Sequence, residues 1–174
     1  MKTVILAGGL GTRLSEETVI KPKPMVEIGG NPILWHIMNI YSHYGFNEFI
    51  IALGYKGEMI KDYFLNYKKM RSNFRIQIAT DELTILNGES ENWSVQLMDT
   101  GDKTQTGGRI KRLSNWLKDE DFLLTYGDGV ANVNINELVN YHQTCGRLAT
   151  VTAVRRPSRF GDIVLDGREV AQFA

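Results

Sequence analysis

Cysteine is almost missing from the 174 residues: Cys145 stands alone, which excludes an internal disulfide and a cysteine zinc cluster. Proline occurs only four times, and there is no low-complexity stretch, charge block or fixed-period repeat. Surplus charge is absent too. Twenty Lys and Arg balance twenty Asp and Glu, which argues against a general binder of nucleic acid or anionic membrane. No apolar run approaches the length of a membrane span. Thr3-Val4-Ile5-Leu6-Ala7 after Met1-Lys2 briefly imitates a signal peptide, but Gly8-Gly9 ends the run too soon and Arg13 follows. A cytoplasmic location is expected. What remains is an ordinary globular balance, 43% hydrophobic and 23% charged, and a length that suits one domain spanning residues 1–174.

Strand-like and helical patterns alternate along the chain. Thr3–Ala7 is a short β-branched run closed by glycines, as a buried parallel strand should look. Asn31 can cap a helix with Pro32 at its first position, followed by Ile33, Ile37, Ile40 and Tyr44 at helical spacing and by Gly45 as a stop. Phe49–Leu53 reads as strand, and Met59, Ile60, Tyr63, Phe64 and Tyr67 make a helical face. Phe74–Ala79 and Trp93–Met98 read as strands, residues 80–106 being less regular. A short helix carries Ile110, Leu113 and Leu117, and Phe122–Tyr126 is a strand running into Gly127-Asp128-Gly129. Ile135–Thr144 is helical, Ala149–Val154 is a strand, and Ile163–Leu165 pairs with Glu169–Phe173 through Asp166-Gly167. This order predicts an α/β, Rossmann-like three-layer sandwich: a mostly parallel sheet with helices on both faces. Ligands of such sheets sit at the carboxyl ends of the strands, which here means the segments after Ala7, Tyr126 and Val154.

The first of these segments is Leu6-Ala7-Gly8-Gly9-Leu10-Gly11-Thr12-Arg13-Leu14. Its glycines let backbone N–H groups approach a ligand without Cβ obstruction, and Arg13 offers a forked cation for phosphate oxygens. The Gly-Lys-Ser/Thr ending of a P-loop is missing, and Leu14 stands where a dinucleotide fingerprint needs glycine. Taken alone, the glycines fit a tight strand-to-helix turn as well as they fit a phosphate cradle. Further on, Pro22 and Pro24 bracket Lys23 and stiffen the backbone on both sides of it. Alone this lysine reads as solvated. Beside the glycine loop it reads as a fixed charge for a phosphate.

Together these segments resemble the signature of the sugar-phosphate nucleotidyltransferases. Ser15-Glu16-Glu17-Thr18 and Ile33-Leu34-Trp35-His36-Ile37-Met38 are similar to the branch that joins CTP to glucose 1-phosphate. Further matches are Gly54-Tyr55-Lys56-Gly57, Thr106-Gly107-Gly108-Arg109, Tyr126-Gly127-Asp128-Gly129, Val151-Thr152-Ala153-Val154 and Arg159-Phe160-Gly161. The resemblance implies a nucleotide-diphospho-sugar transferase fold. It also implies that Leu6, Ala7, Gly8, Gly9, Leu10, Gly11 and Thr12 wrap the base, ribose and triphosphate of CTP. Arg13 would hold the β- and γ-phosphates. Lys23 would neutralise charge at the α-phosphate, so that these two are the expected catalytic residues. Thr104, Gly108 and Arg109 would complete nucleotide binding, and Asp128 would bind nucleotide and Mg²⁺. By spacing alone a turn aspartate is the better guess for Asp128; the buried strand before it and the family match favour the metal.

The implied reaction makes CDP-glucose and pyrophosphate without a protein nucleophile, for bacterial surface polysaccharide such as O-antigen. A homo-oligomer is expected, with small-molecule substrates and neither nucleic acid nor membrane as partner. His36 and His43 lie seven apart, too far for an i, i+4 metal pair, and His142 is isolated, so all three read as packing or surface residues. Tyr63, Phe64 and Tyr67 read as core, and Cys145 as structural. Arg155, Arg156 and Arg159 cluster after a strand and hint at the sugar-phosphate end of the pocket. Family members continue past the position of Ala174, so the chain is expected to be truncated at its C-terminal end. Two alternatives stand beside this reading: a non-catalytic nucleotide-binding module of the same fold, and a relative using another base or sugar.

Overall fold

The computed structural model describes residues 1–9, 21–88, 90–118, 120–154, 163–166 and 169–173. In chain order the elements are β1 (Lys2–Leu6), a 3₁₀ turn (Lys23–Met25), β2 (Glu27–Ile28), β3 (Asn31–Pro32), α1 (Ile33–His43), β4 (Glu48–Leu53) and α2 (Gly57–Met70). There follow β5 (Asn73–Gln77), β6 (Glu82–Asn87), β7 (Ser94–Asp99), α3 (Thr106–Arg112), α4 (Ser114–Leu117) and β8 (Phe122–Tyr126). The last are α5 (Ile135–Cys145), β9 (Ile163–Asp166) and β10 (Glu169–Phe173). The chain forms two compact units, Met1–Asn132 and Val133–Ala174.

The first unit is built on a four-stranded sheet ordered β7-β4-β1-β8, with every neighbour parallel. Parallel strands need crossovers, and right-handed crossovers fix the layers. From β1 to β4 to β7 the chain steps one way across the sheet, so α1 and α2 fall on one face. From β7 to β8 it steps back, so α3 and α4 fall on the other. The side chains obey the period of two that pleating imposes. Ile5, Ala7, Phe49, Ile51 and Leu53 point to one face, where they pack with Leu34, Ile37, Met38 and Ile60. Val4, Leu6, Ile50 and Ala52 point to the other, against Leu113 and Leu117. The three-layer α/β sandwich is thus present, with its core in two sheets of contact rather than one.

Several local expectations differ. Asn31 does not cap α1: the N-cap is Pro32, while Asn31 pairs with Ile28 in a two-residue ladder and its side-chain oxygen accepts from Arg71. The irregular stretch holds an unforeseen strand, β6, paired antiparallel with β5. Residues 149–154 form no strand, and Val151 and Val154 are exposed. In the second unit α5 is capped by Asn134, whose Oδ1 accepts from the Glu137 amide while its Nδ2 donates to the Glu137 carboxylate. There β9 and β10 pair antiparallel, with a register shift between Val170 and Gln172. Gly167 of the expected turn lies outside the described residues.

Candidate active site at the carboxyl ends of the strands

In order of appearance the four parallel strands run third, second, first, fourth across the sheet. The order reverses between β1 and β8, and ligands of open α/β sheets bind in the crevice at that reversal. Two of the segments expected to be functional lie there. Gly8-Gly9 leaves the end of β1, and Gly127-Asp128 leaves the end of β8. The Gly127 amide donates to the Leu6 carbonyl (3.0 Å), which prolongs the ladder past the last strand residues.

The Lys23 turn comes to the same place. Pro22 enters it extended, and the amides of Met25 and Val26 close it onto the carbonyls of Pro22 (2.8 Å) and Lys23 (3.1 Å). Pro24 and Met25 are buried, so the turn is anchored to the core while Lys23 projects from it. Pro24 also packs on Gly127, where an added Cβ would sit 3.1 Å from its Cγ and 3.0 Å from the Leu6 carbonyl. The contact brings two residues 105 apart in sequence together: Lys23 Nζ lies 3.4 Å from Asp128 Oδ2. A cation expected at the α-phosphate and a carboxylate expected to hold metal therefore share one spot. No group of three His, Cys, Asp or Glu side chains that could hold a metal occurs among the described residues. A single exposed carboxylate suits Mg²⁺, which takes one or two protein oxygens and fills its remaining positions with phosphate and water.

The backbone at the end of β1 is partly committed to the fold. The Ala7 amide donates to the Ala52 carbonyl (3.0 Å), and the Gly8 carbonyl accepts from the Tyr55 amide (3.4 Å). Gly9 is exposed, with nothing among the described residues within 4 Å of the position a Cβ would take, so a close backbone approach there meets none of them. Leu10, Gly11, Thr12 and Arg13 lie outside the described residues, as do Arg155, Arg156 and Arg159.

The remaining expected residues sit on the segment after β7. Thr104 is half-buried and its methyl packs on Gly108, where a Cβ would come within 2.9 Å. Gly108 itself is exposed on the first turn of α3. Arg109 is turned inward and only 4% exposed. Its Nη1 donates to the Leu53 carbonyl (2.9 Å) and Thr100 Oγ1 (2.6 Å), and its Nη2 donates to the carbonyls of Gly8 (2.7 Å) and Asp102 (3.3 Å). Burial, partly offset by the Asp102 carboxylate, pulls its pKa below the ordinary arginine value. Thr100, itself buried, passes the network on by donating to Leu53 (2.6 Å). Sequence reasoning did not foresee this inward position. A residue on a short helix entry gives no sign of which way its side chain turns.

Four of the residues set aside as structural make contacts within the fold, while Cys145 is exposed. His36 Nε2 hydrogen-bonds with the Ile28 carbonyl (2.9 Å), and Tyr63 and Phe64 pack on the larger core cluster. Tyr67 donates to Glu91 (2.7 Å) and accepts from Trp35 (2.8 Å), and Arg71 lies over the Trp35 and Tyr67 rings.

Comparison with known proteins agrees with the topology. The chain is 52% identical over 174 residues to glucose-1-phosphate cytidylyltransferase of Salmonella typhi, covering 99% of this chain and 68% of that one. It is 51% identical over 166 residues to a probable glucose-1-phosphate cytidylyltransferase of Bacillus subtilis, covering 95% of this chain and 65% of the relative. It thus spans about two thirds of the length of the curated relatives it matches. Among solved structures, HddC from Yersinia pseudotuberculosis complexed with GMP-PN superposes with a TM-score of 0.62 at 24% identity, covering 95% of this chain and 64% of that chain. That likeness bears on the fold alone. A family model described as nucleotidyl transferase matches residues 2–174, and the chain belongs to that family.

Proposed function

We propose that this chain carries out nucleotidyl transfer from CTP to α-D-glucose 1-phosphate, giving CDP-glucose and pyrophosphate. The observation that carries the reading is the 52% identity, across 99% of the chain, to a relative named for that activity. A phosphate oxygen of the sugar attacks the α-phosphorus of CTP in line. The new O–P bond forms as the bond from the α-phosphorus to the bridging oxygen breaks, and pyrophosphate leaves with the electron pair. No protein nucleophile is needed. Positioning and charge neutralisation supply most of the acceleration in such transfers.

The site geometry supports this division of labour. Gly8 and Gly9 line the crevice between β1 and β8, open at Gly9 to a close-lying nucleotide. Lys23, on a turn stiffened by two prolines, is the fixed cation for the α-phosphate, and Arg13 is assigned to the departing phosphates. Thr104 and Gly108 border the nucleotide from the segment after β7. Asp128 would hold Mg²⁺, which when bound supplies charge neutralisation across the phosphates. The Lys23–Asp128 pair supports both assignments, because each group is already held at 3.4 Å from a charge of the opposite sign, as it would be among phosphates and metal. As the finer reading we place the enzyme in the cytoplasm as a homo-oligomer, feeding O-antigen synthesis. No helix among the described residues is long and apolar enough to cross a membrane.

The test is to incubate the 174-residue chain, and a form extended to the length of its relatives, with CTP, glucose 1-phosphate and Mg²⁺. Pyrophosphate and CDP-glucose should appear in equal amounts. UTP and dTTP in parallel define the base. CTP binding with no pyrophosphate from either form would overturn the enzyme reading in favour of a binding module.

A further inference from the structure

We infer that Arg109 is a positioning residue for the nucleotide: from inside the fold it holds the Gly8 carbonyl, and with it the backbone against which the base and phosphates would lie. The inference rests on the nucleotidyl-transfer reading for its kinetic arm. It begins with a problem that every parallel sheet has. Carbonyls at the carboxyl ends of adjacent strands have few neighbouring amides; here those of Gly8 and Leu53 take one each, from Tyr55 (3.4 Å) and Thr100 (3.0 Å), and a carbonyl oxygen can accept more than one donor. Here one guanidinium serves three strand ends. Its planar fork reaches Gly8 beyond β1, Leu53 at the end of β4, and Thr100 and Asp102 beyond β7.

Space was kept for that fork on two loops. A Cβ at Gly8 would fall 2.2 Å from Arg109 Nη1, and one at Gly54 would fall 2.6 Å from the same atom and 2.8 Å from the Gly8 carbonyl. Glycine at position 8 is therefore required from beneath, by Arg109, as well as by any ligand above. Both loops lie against the guanidinium, which is only 4% exposed and so is not presented to a phosphate in this arrangement. Arg109 forms no direct ion pair among the described residues, and the carboxylates of Asp102 and Asp99 act on its charge only at longer range. A lysine would keep the charge but lose the fork, since one ammonium cannot span three strand ends.

The experiment compares Arg109→Lys with Thr100→Val, a gentler variant that deletes one acceptor of the fork while conserving shape, so that a folded protein is available if the first variant fails to fold. In the ligand-free protein, amide hydrogen exchange at Tyr55, which donates to the Gly8 carbonyl, and at Ala7, which donates to Ala52 one residue before it, should quicken by about tenfold in Arg109→Lys and by less in Thr100→Val. In turnover, KM for CTP should rise about tenfold while kcat stays within about threefold, the size expected for one charge-assisted hydrogen bond lost from a binding surface. The preference for CTP over UTP should fall by a similar factor, because a displaced backbone misreads the base. A uniform weakening toward CTP, UTP and inorganic pyrophosphate, with preference and exchange unchanged, would overturn the inference and make Arg109 a direct phosphate ligand. If the unaltered protein turns over no CTP, the functional reading fails, and the exchange measurement still decides the role of Arg109.

Discussion

Replacing Lys23 separates chemistry from folding, because the structure assigns the two very different magnitudes. Its ammonium pairs with Asp128 at 3.4 Å, but the Asp128 side chain is 44% exposed and the Lys23 side chain 20%. Pairs this open to water contribute about 0–1 kcal/mol. The turn is held by Pro24, Met25 and two backbone hydrogen bonds, none of which needs the lysine side chain. In a chain of this size 1 kcal/mol moves the melting temperature by about 2–4 °C. Lys23→Ala should therefore lower Tm by no more than about 4 °C.

Turnover should respond on another scale. Removing one preorganised group that stabilises transition-state charge costs roughly 10²–10³-fold in kcat. The assay is continuous pyrophosphate release at saturating CTP and glucose 1-phosphate, run beside thermal unfolding of the same preparation. Lys23→Met, which keeps the apolar stem, is the control for lost packing and should be as inactive as the alanine variant. A kcat within about threefold of the parent would refute the assigned role. A melting temperature lowered by more than about 10 °C would refute the ledger, showing Lys23 to be part of the scaffold.

Three other outcomes follow from the packing. Gly127→Ala would press a methyl to 3.0 Å from the Leu6 carbonyl and 3.1 Å from Pro24; it should cost about 1–3 kcal/mol and shift the magnesium titration of activity, and a variant normal in both would refute the tight seat beneath Asp128. Leu34→Ala empties a fully buried position facing β1 and β4 and should cost about 2–5 kcal/mol in urea unfolding, with little change in KM. The third concerns pH. Burial alone would raise the Glu91 pKa, but hydrogen bonds from Tyr67 and Trp35 and the charge of Arg71 outweigh it, leaving the carboxyl below its ordinary range. A depressed carboxyl contributes stability above its unfolded pKa and loses it as pH falls through the folded one. Tyr67→Phe should therefore destabilise most near neutrality, with a deficit that narrows below about pH 4; a deficit constant from pH 7 to 3 would contradict this.

The central strands were legible from their composition: β1 and β4 are buried on both faces, and β8, half-exposed at its Leu124 and Tyr126, still carries the same kind of run. Thr3–Ala7, Phe49–Leu53 and Phe122–Tyr126 are continuous apolar runs ended by glycine, and β1, β4 and β8 fall within a residue of them. The hairpin of β5 and β6 was harder to see. Its turn carries no glycine or proline; instead Asp81 takes the left-handed conformation (φ 55°), which aspartate tolerates and sequence does not announce. Residues 149–154 erred the other way. Strand propensity measures fit to a half-buried pleated surface, and Val151 and Val154 are 85% and 71% exposed, with no such surface against them.

The site shows the same divide between what is local and what is long-range. Glycines and a proline-bracketed lysine are local signals, and they led to the crevice between β1 and β8. That Lys23 meets Asp128 depends on Pro24 seating against Gly127, a contact across 105 positions that no spacing rule encodes. Arg109 is the stronger case. Its helix is seven residues long and carries basic residues along its last turn, so composition alone would leave each of them in solvent. Arg109 is the one drawn inward, because carbonyls at three strand ends accept from its fork and two distant glycines leave room for it. Sheet topology, rather than helix pattern, decides which arginine is buried. It follows that Gly8, Gly54, Thr100 and Arg109 form one unit, and that substitutions within it should be non-additive while substitutions at Lys23 should add to them independently.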